Sequence, residues 1–241
     1  MRTPSPAGEA PPTPASAPVV RRPRLLIKEW AKLRLPAALL LAAGTAWALY
    51  LVLRVRQLYA IYDAEAIWHA WLTKGLLFLS PYQYVPLAIG VLIGVLQFLP
   101  EIQRARIRLA LHLPLDEDRL VLHHLGLGLG AITLLWVPAA VLFTGMATIY
   151  FPAEYLGHLL AWLAQIVLAG YAAYLLIAAG FLEPAWPVRI VYLLIALGAL
   201  PMYFAGEFYD AHLRILPVIT AWTAALILLP VVACRRYREG A

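Results

Sequence analysis

Six long apolar stretches, at about 36–54, 82–100, 124–149, 155–180, 188–205 and 214–233, dominate this chain. Each is near or above the ~17 to 25 residues that an α-helix needs to cross the hydrocarbon of a bilayer. A backbone passing through lipid has to satisfy its own hydrogen bonds, which it does as helix. The composition agrees: 63% of the 241 residues are hydrophobic and 13% are charged, against about 25% charged in a soluble domain. The expected fold is therefore all-α, a polytopic integral membrane protein with six transmembrane helices and additional amphipathic helices at the interface.

The basic residues orient it. With the N-terminus in the cytosol, the inner side holds Arg2, Arg21, Arg22, Arg24, Lys28, Lys32, Arg34, Arg104, Arg106, Arg108, Arg119, Arg189, Arg235, Arg236 and Arg238. The outer side holds Arg54, Arg56, Lys74 and Arg214, four of the 19 Lys and Arg residues. That asymmetry puts both termini in the cytosol. It also makes the net charge of +6 a topology signal and not the footprint of a nucleic-acid partner. The single cysteine, Cys234, excludes an internal disulfide.

Residues 1–23 are rich in proline and small residues and read as a disordered cytosolic tail. Residues 24–241 read as one six-span domain. Its N-terminal stretch, 24–35, places Leu25, Leu26, Trp30 and Leu33 on one helical face among Lys28, Glu29, Lys32 and Arg34. It fits either a helix lying in the interface or a positive flank that sets topology. Between the first two spans, Ile61, Ala64, Ile67, Trp68, Trp71 and Leu72 recur at helical spacing, predicting an interfacial helix on the outer side. A shorter element is expected at 205–214, before the last span.

Between the second and third spans the chain turns polar: QFLPEIQRARIRLALHLPLDEDRLVLHH, residues 97–124. Pro100 and Glu101 mark the end of the second span. Arg104, Arg106 and Arg108 alternate with apolar residues, His112 and Pro114 follow, and Asp116, Glu117, Asp118 and Arg119 suit the start of the next helix. This arrangement resembles the first cytosolic loop of permease subunits in the ABC-2 type exporter superfamily. There, a glutamate after the second span leads through a short helix and a leucine–proline passage into the third. The matching residues are Glu101, Leu109, Leu111, Leu113, Pro114, Arg119 and Gly126, and IKEWAKLR at 27–34 is similar to that family's N-terminal amphipathic helix.

The resemblance implies a permease that forms a translocation pathway as a homodimer or heterodimer in a bacterial inner membrane. A separate ATPase would dock on a coupling-like loop at 101–123, touching Glu101, Arg104, Arg106, Arg108, His112, Asp116, Glu117, Asp118 and Arg119, and on the helix carrying Lys28, Glu29, Trp30 and Lys32. ATP and Mg would be bound by that partner. This chain has no Walker A sequence, and no catalytic residues of its own are expected.

The remaining polar residues leave alternatives open. Gln165 lies well inside the fourth span, where an amide needs a partner. Glu154 and Glu183 lie at its two ends, and Glu207 and Asp210 lie near the outer face. Gln165, Glu154, Glu207 and Asp210 are candidates for pathway or gating positions, or are structural and solvated groups. His123 and His124 are separated by the ~30 Å hydrocarbon layer from His158, so they cannot share one metal ion with it. His69, His158 and His212, all outer, form a weaker metal or haem alternative; otherwise no metal or directly bound cofactor is expected. The competing function is a membrane anchor or assembly subunit of a respiratory or redox complex, with or without haem. Ser5, Ser16 and Ser80 have no histidine–aspartate frame, so an intramembrane enzyme is the least supported class. Gly90 and Gly94, and Gly126, Gly128 and Gly130, are placed to permit close helix packing.

Overall fold

The computed structural model describes residues 22–74, 79–103, 117–204 and 211–239, which are helical apart from short turns and contain no strand. The helices are α1 (Arg22–Ile61), α2 (Ala64–Lys74), α3 (Val85–Gln103), α4 (Glu117–Tyr150), α5 (Ala153–Leu182), α6 (Trp186–Ala199), α7 (Ala211–Leu226) and α8 (Leu228–Glu239). A 3-10 turn, Ser80–Tyr82, leads into α3, and another, Leu200–Phe204, extends α6. Among the described residues, six segments are long and apolar enough to cross a membrane: Leu33–Ile61, Ser80–Pro100, Val121–Tyr150, Ala153–Leu182, Trp186–Phe204 and Leu213–Tyr237. The protein is an all-α, multi-pass membrane protein. An even number of crossings brings both ends of the bundle to one face, the basic and hence cytosolic one.

Helix α5 is the axis of the bundle. It packs against α3, α4, α6, α7 and α8, while α1 packs chiefly on α4 and α3. About 72% of its membrane window is buried, against 11% for the α6 span and 22% for both the first and last spans. Its sequence explains this. Ala161, Ala169, Gly170, Ala172, Ala173, Ala178 and Ala179 are all buried, and they keep the helix narrow enough for five neighbours. In lipid there is little hydrophobic gain from bringing helices together, so close van der Waals contact and hydrogen bonds hold the bundle.

The closest contact is with α3. A Cβ built on Gly90 would overlap the Gly170 carbonyl, and one on Gly170 would overlap the Pro86 carbonyl. At Gly94 it would lie 2.8 Å from Ile177 Cγ2. The two backbones therefore touch where glycine is the only residue that fits. Of the three glycines at the start of α4, Gly128 alone is packed: a Cβ there would overlap the Tyr174 ring, whereas Gly126 and Gly130 face open space.

Prolines leave their marks without ending every helix. Helix α1 runs uninterrupted through Pro36, so the expected boundary between an interfacial stretch and the first span is not a break. One missing N–H is tolerated in a membrane helix. Near the end of the last span, Pro230 has no N–H to give to the Leu226 carbonyl. The helix breaks there into α7 and α8 around Ile227, whose N–H reaches only to Ala224 O at 3.2 Å.

The outer end is closed by aromatics. The predicted interfacial helix is present as α2, with Ile67 buried and Trp68 Nε1 donating to Tyr59 Oη at 3.1 Å. Tyr59 in turn donates to the Tyr150 carbonyl at 3.1 Å, clamping α1 to α4. Phe151 stacks on Tyr155 with ring centroids 4.5 Å apart.

The glycine contacts make a direct prediction. Gly170→Ala and Gly90→Ala each force α3 and α5 apart and should lower stability by about 1–3 kcal/mol. Gly126→Ala and Gly130→Ala should be neutral or stabilising by up to about 1 kcal/mol. Thermal unfolding of the four variants in one detergent checks the contrast.

Candidate functional site

The block at residues 101–119 is attached to the bundle through α3 and α4, and a polar joint lies just inside that attachment. Gln97 lies one turn before Glu101 and is fully buried. Its Nε2 donates to the His124 carbonyl at 2.8 Å, joining α3 to α4. Tyr174 of α5, also fully buried, donates its hydroxyl towards Gln97 Oε1 at 2.9 Å and the His124 carbonyl at 3.2 Å. Three helices thus meet at one amide, one hydroxyl and one backbone carbonyl. Gly128 makes room for the phenol ring, and Phe98 flanks it with ring centroids 6.1 Å apart. A helical carbonyl has a second lone pair beyond its own ladder bond, so His124 O takes the Gln97 bond without giving up its helix, and the Tyr174 hydroxyl is shared between it and Gln97 Oε1.

A second lock sits on the other side of α5. Gln165 and Tyr174 are nine residues apart, which turns them roughly 180° around the helix axis. Gln165 Nε2 donates to the Tyr203 carbonyl at 2.7 Å. The Tyr203 hydroxyl and Thr223 Oγ1 are 2.7 Å apart, and Thr223 bonds back to Ile219 O. Gln165 is therefore held in a structural pairing that ties α5 to the end of α6 and to α7. Between the two locks, Tyr171 Oη and Thr133 Oγ1 are 2.6 Å apart, fixing α4 to α5.

At the cytosolic end of α5, Glu183 is buried in the turn to α6. Its carboxylate accepts from Ala185 N at 3.3 Å and Tyr192 Oη at 3.4 Å, and pairs with Arg236 of α8 at 3.6 Å. A buried carboxylate is tolerated only with such partners. The sequence placed Glu183 at the end of the fourth span but carried no sign of Arg236 as its partner.

The other sequence-derived positions fall as follows. Arg104, Arg106, Arg108, His112 and Asp116 lie outside the described residues, as do Glu207 and Asp210. Glu101, Glu117 and Asp118 belong to described helix ends, and Lys28, Glu29, Trp30 and Lys32 to α1, but their side chains lie outside the description. Arg119 is exposed at the start of α4. Glu154 is exposed in the first turn of α5, on the outer side and away from both locks. His69 on α2 and His158 on α5 lie at the outer end, the third histidine of that alternative, His212, having no described side chain. No group of three His, Cys, Asp or Glu side chains able to hold a metal occurs among the described residues.

The joint of Gln97, His124 and Tyr174 does not stand out in the sequence. Its one signal is a glutamine inside an apolar run, the same signal that marks Gln165. The chain matches no protein-family model, and it has no significant likeness to a curated protein or a solved structure.

If the joint acts as a unit, its parts are energetically coupled. Tyr174→Phe and Gln97→Leu should each cost about 1 kcal/mol. The double variant should lose about 0.5–1 kcal/mol less than their sum. Unfolding of the two singles and the double in one detergent measures this, and strict additivity would show that the two side chains work independently.

Proposed function

We propose that the protein is the membrane-spanning permease subunit of an ATP-driven transporter, and that it couples a separate ATPase to its own helices through the block between α3 and α4. The observation that carries this reading is the position of the polar joint. The block leaves the bundle at Gln103 and returns at Glu117. Gln97 and His124, a few residues inside those two points, are hydrogen-bonded to each other and to α5. A push on the block therefore moves α3 and α4 together and is passed to α5, which touches five other helices.

The resemblance of the 101–119 block and of residues 27–34 to ABC-2 permeases supports the same reading. Helix α1 adds to it: Arg22 to Lys32 continue the first span as helix on the basic face for about 16 Å, giving a second element on which a partner could dock. On this reading the assembly has two permeases and two ATPases in a bacterial inner membrane, with ATP and Mg held by the partner.

Affinity purification of the tagged chain from its native membranes tests the proposal. The expected result is a stoichiometric ATP-binding subunit. Reversing the charges of Arg104, Arg106 and Arg108 should lower its recovery tenfold or more, equivalent to about 1.4 kcal/mol. Tyr174→Phe should leave recovery intact while reducing transport per ATP hydrolysed. A complex containing cytochromes or electron carriers and no ATPase would replace this reading with that of a redox-complex anchor.

A further inference from the structure

Among the described residues, the turn between α5 and α6 gathers two guanidiniums around one carboxylate. Arg189 of α6 donates Nε to the Glu183 carbonyl at 2.7 Å, and Arg236 of α8 sets its NH1 3.6 Å from the Glu183 carboxylate. Two guanidiniums from different helices thus meet around one residue that carries a single negative charge. Arg189 spends its bond on a neutral carbonyl, so its charge is not answered by that contact. The Arg236 side chain is 51% exposed, against 1% for Glu183, so the cationic side of the pair faces outward.

The end of α6 adds to the surplus. Its first turn has no acidic residue, and its N-cap, Ala185, provides no side-chain cap. Among the described residues the positive end of the helix dipole is met by the Glu183 carboxylate, and Arg189 sits in that first turn, where a cation is disfavoured. An anion from outside the chain would answer all three positive elements at once.

The position names the anion. Trp186 begins one apolar segment and Tyr237 ends another; arginines this close to the ends of spans are within reach of lipid phosphates. The Trp186 ring is largely exposed and lies 5.8 Å from the Arg189 guanidinium carbon, giving an amphipathic platform beside the charge. Helix α6 has the least buried span of the six, so lipid reaches its flank directly. Guanidinium forks match phosphate oxygens in geometry as well as charge. We propose that Arg189 and Arg236, with Trp186, form a binding site for the phosphate of an anionic phospholipid in the cytosolic leaflet. The site would bridge α6 and α8 at the cytosolic end of α5. This inference stands apart from the transporter reading and uses none of its residues.

The test uses the full-length protein in mild detergent, titrated with dioctanoyl phosphatidylglycerol or dioctanoyl phosphatidylcholine, with retained lipid counted by native mass spectrometry. The expected result is preferential retention of phosphatidylglycerol. Arg189→Gln should lower that retention about fivefold, the share of one arginine near an anionic headgroup, and Arg189→Gln with Arg236→Gln should abolish the preference. Arg54→Gln, on the opposite side of the membrane, should leave it unchanged. Because Arg236→Gln also unpairs buried Glu183, the Arg189→Gln variant alone decides the outcome should the double variant not fold. Equal retention of the two lipids, or unchanged retention in Arg189→Gln, would overturn the proposal. Complete displacement by glycerol 3-phosphate would overturn it too, in favour of a site for soluble phosphates.

Discussion

Everything in this bundle depends on α5 being thin. Five helices can reach one axis only if that axis presents backbone and methyl groups to most of them, and α5 does so with its alanines and Gly170. Where it meets α3 the contact is backbone on backbone, which yields many short-range attractions of ~0.1–0.2 kcal/mol each and leaves no room for adjustment. In water, burial of large side chains would supply the drive for such a core. In lipid it cannot, because a leucine gains little by exchanging a lipid tail for a neighbouring helix.

Narrowness alone would leave α5 free to rotate or slide, since small apolar residues look alike from every side. The polar pairs remove that freedom. Tyr174 with Gln97 on one face and Gln165 with Tyr203 on the opposite face set its rotation against α3 and α4 on one hand and against α7 on the other. Each bond is modest, yet losing one partner leaves an unsatisfied group in a medium that offers no water in exchange. Specificity of arrangement, more than raw stability, is what these few groups contribute.

The six spans were legible because lipid imposes a length, and length survives in the sequence whatever the packing. The interfacial helix α2 was legible from its aromatic spacing. Rotation was not: a residue facing lipid and one facing α5 are equally apolar, so nothing in Gly126, Gly128 and Gly130 revealed that the middle glycine is the packed one. Gln165 stood out as an isolated amide, but its acceptor, a backbone carbonyl 38 positions away, has no sequence signature. Gln97 was overshadowed by the charged residues that follow it, although its side chain meets Tyr174 of the central helix. The division expected between the stretch 24–35 and the first span is one the helix runs through, Pro36 included, because a single missing donor is a small loss in a membrane helix.

The interruption at Ile227 bears on how the protein meets its membrane. Bilayers differ in thickness by several ångströms, and spans respond by tilting or bending, at a modest cost for each ångström of mismatch. A continuous helix such as α5 resists bending along its whole length. The last span already lacks the bond that Pro230 would have made to the Leu226 carbonyl, so its two segments can change their mutual angle without breaking another. A change of thickness can therefore be met by a change of angle at this point, with the central axis left as it is.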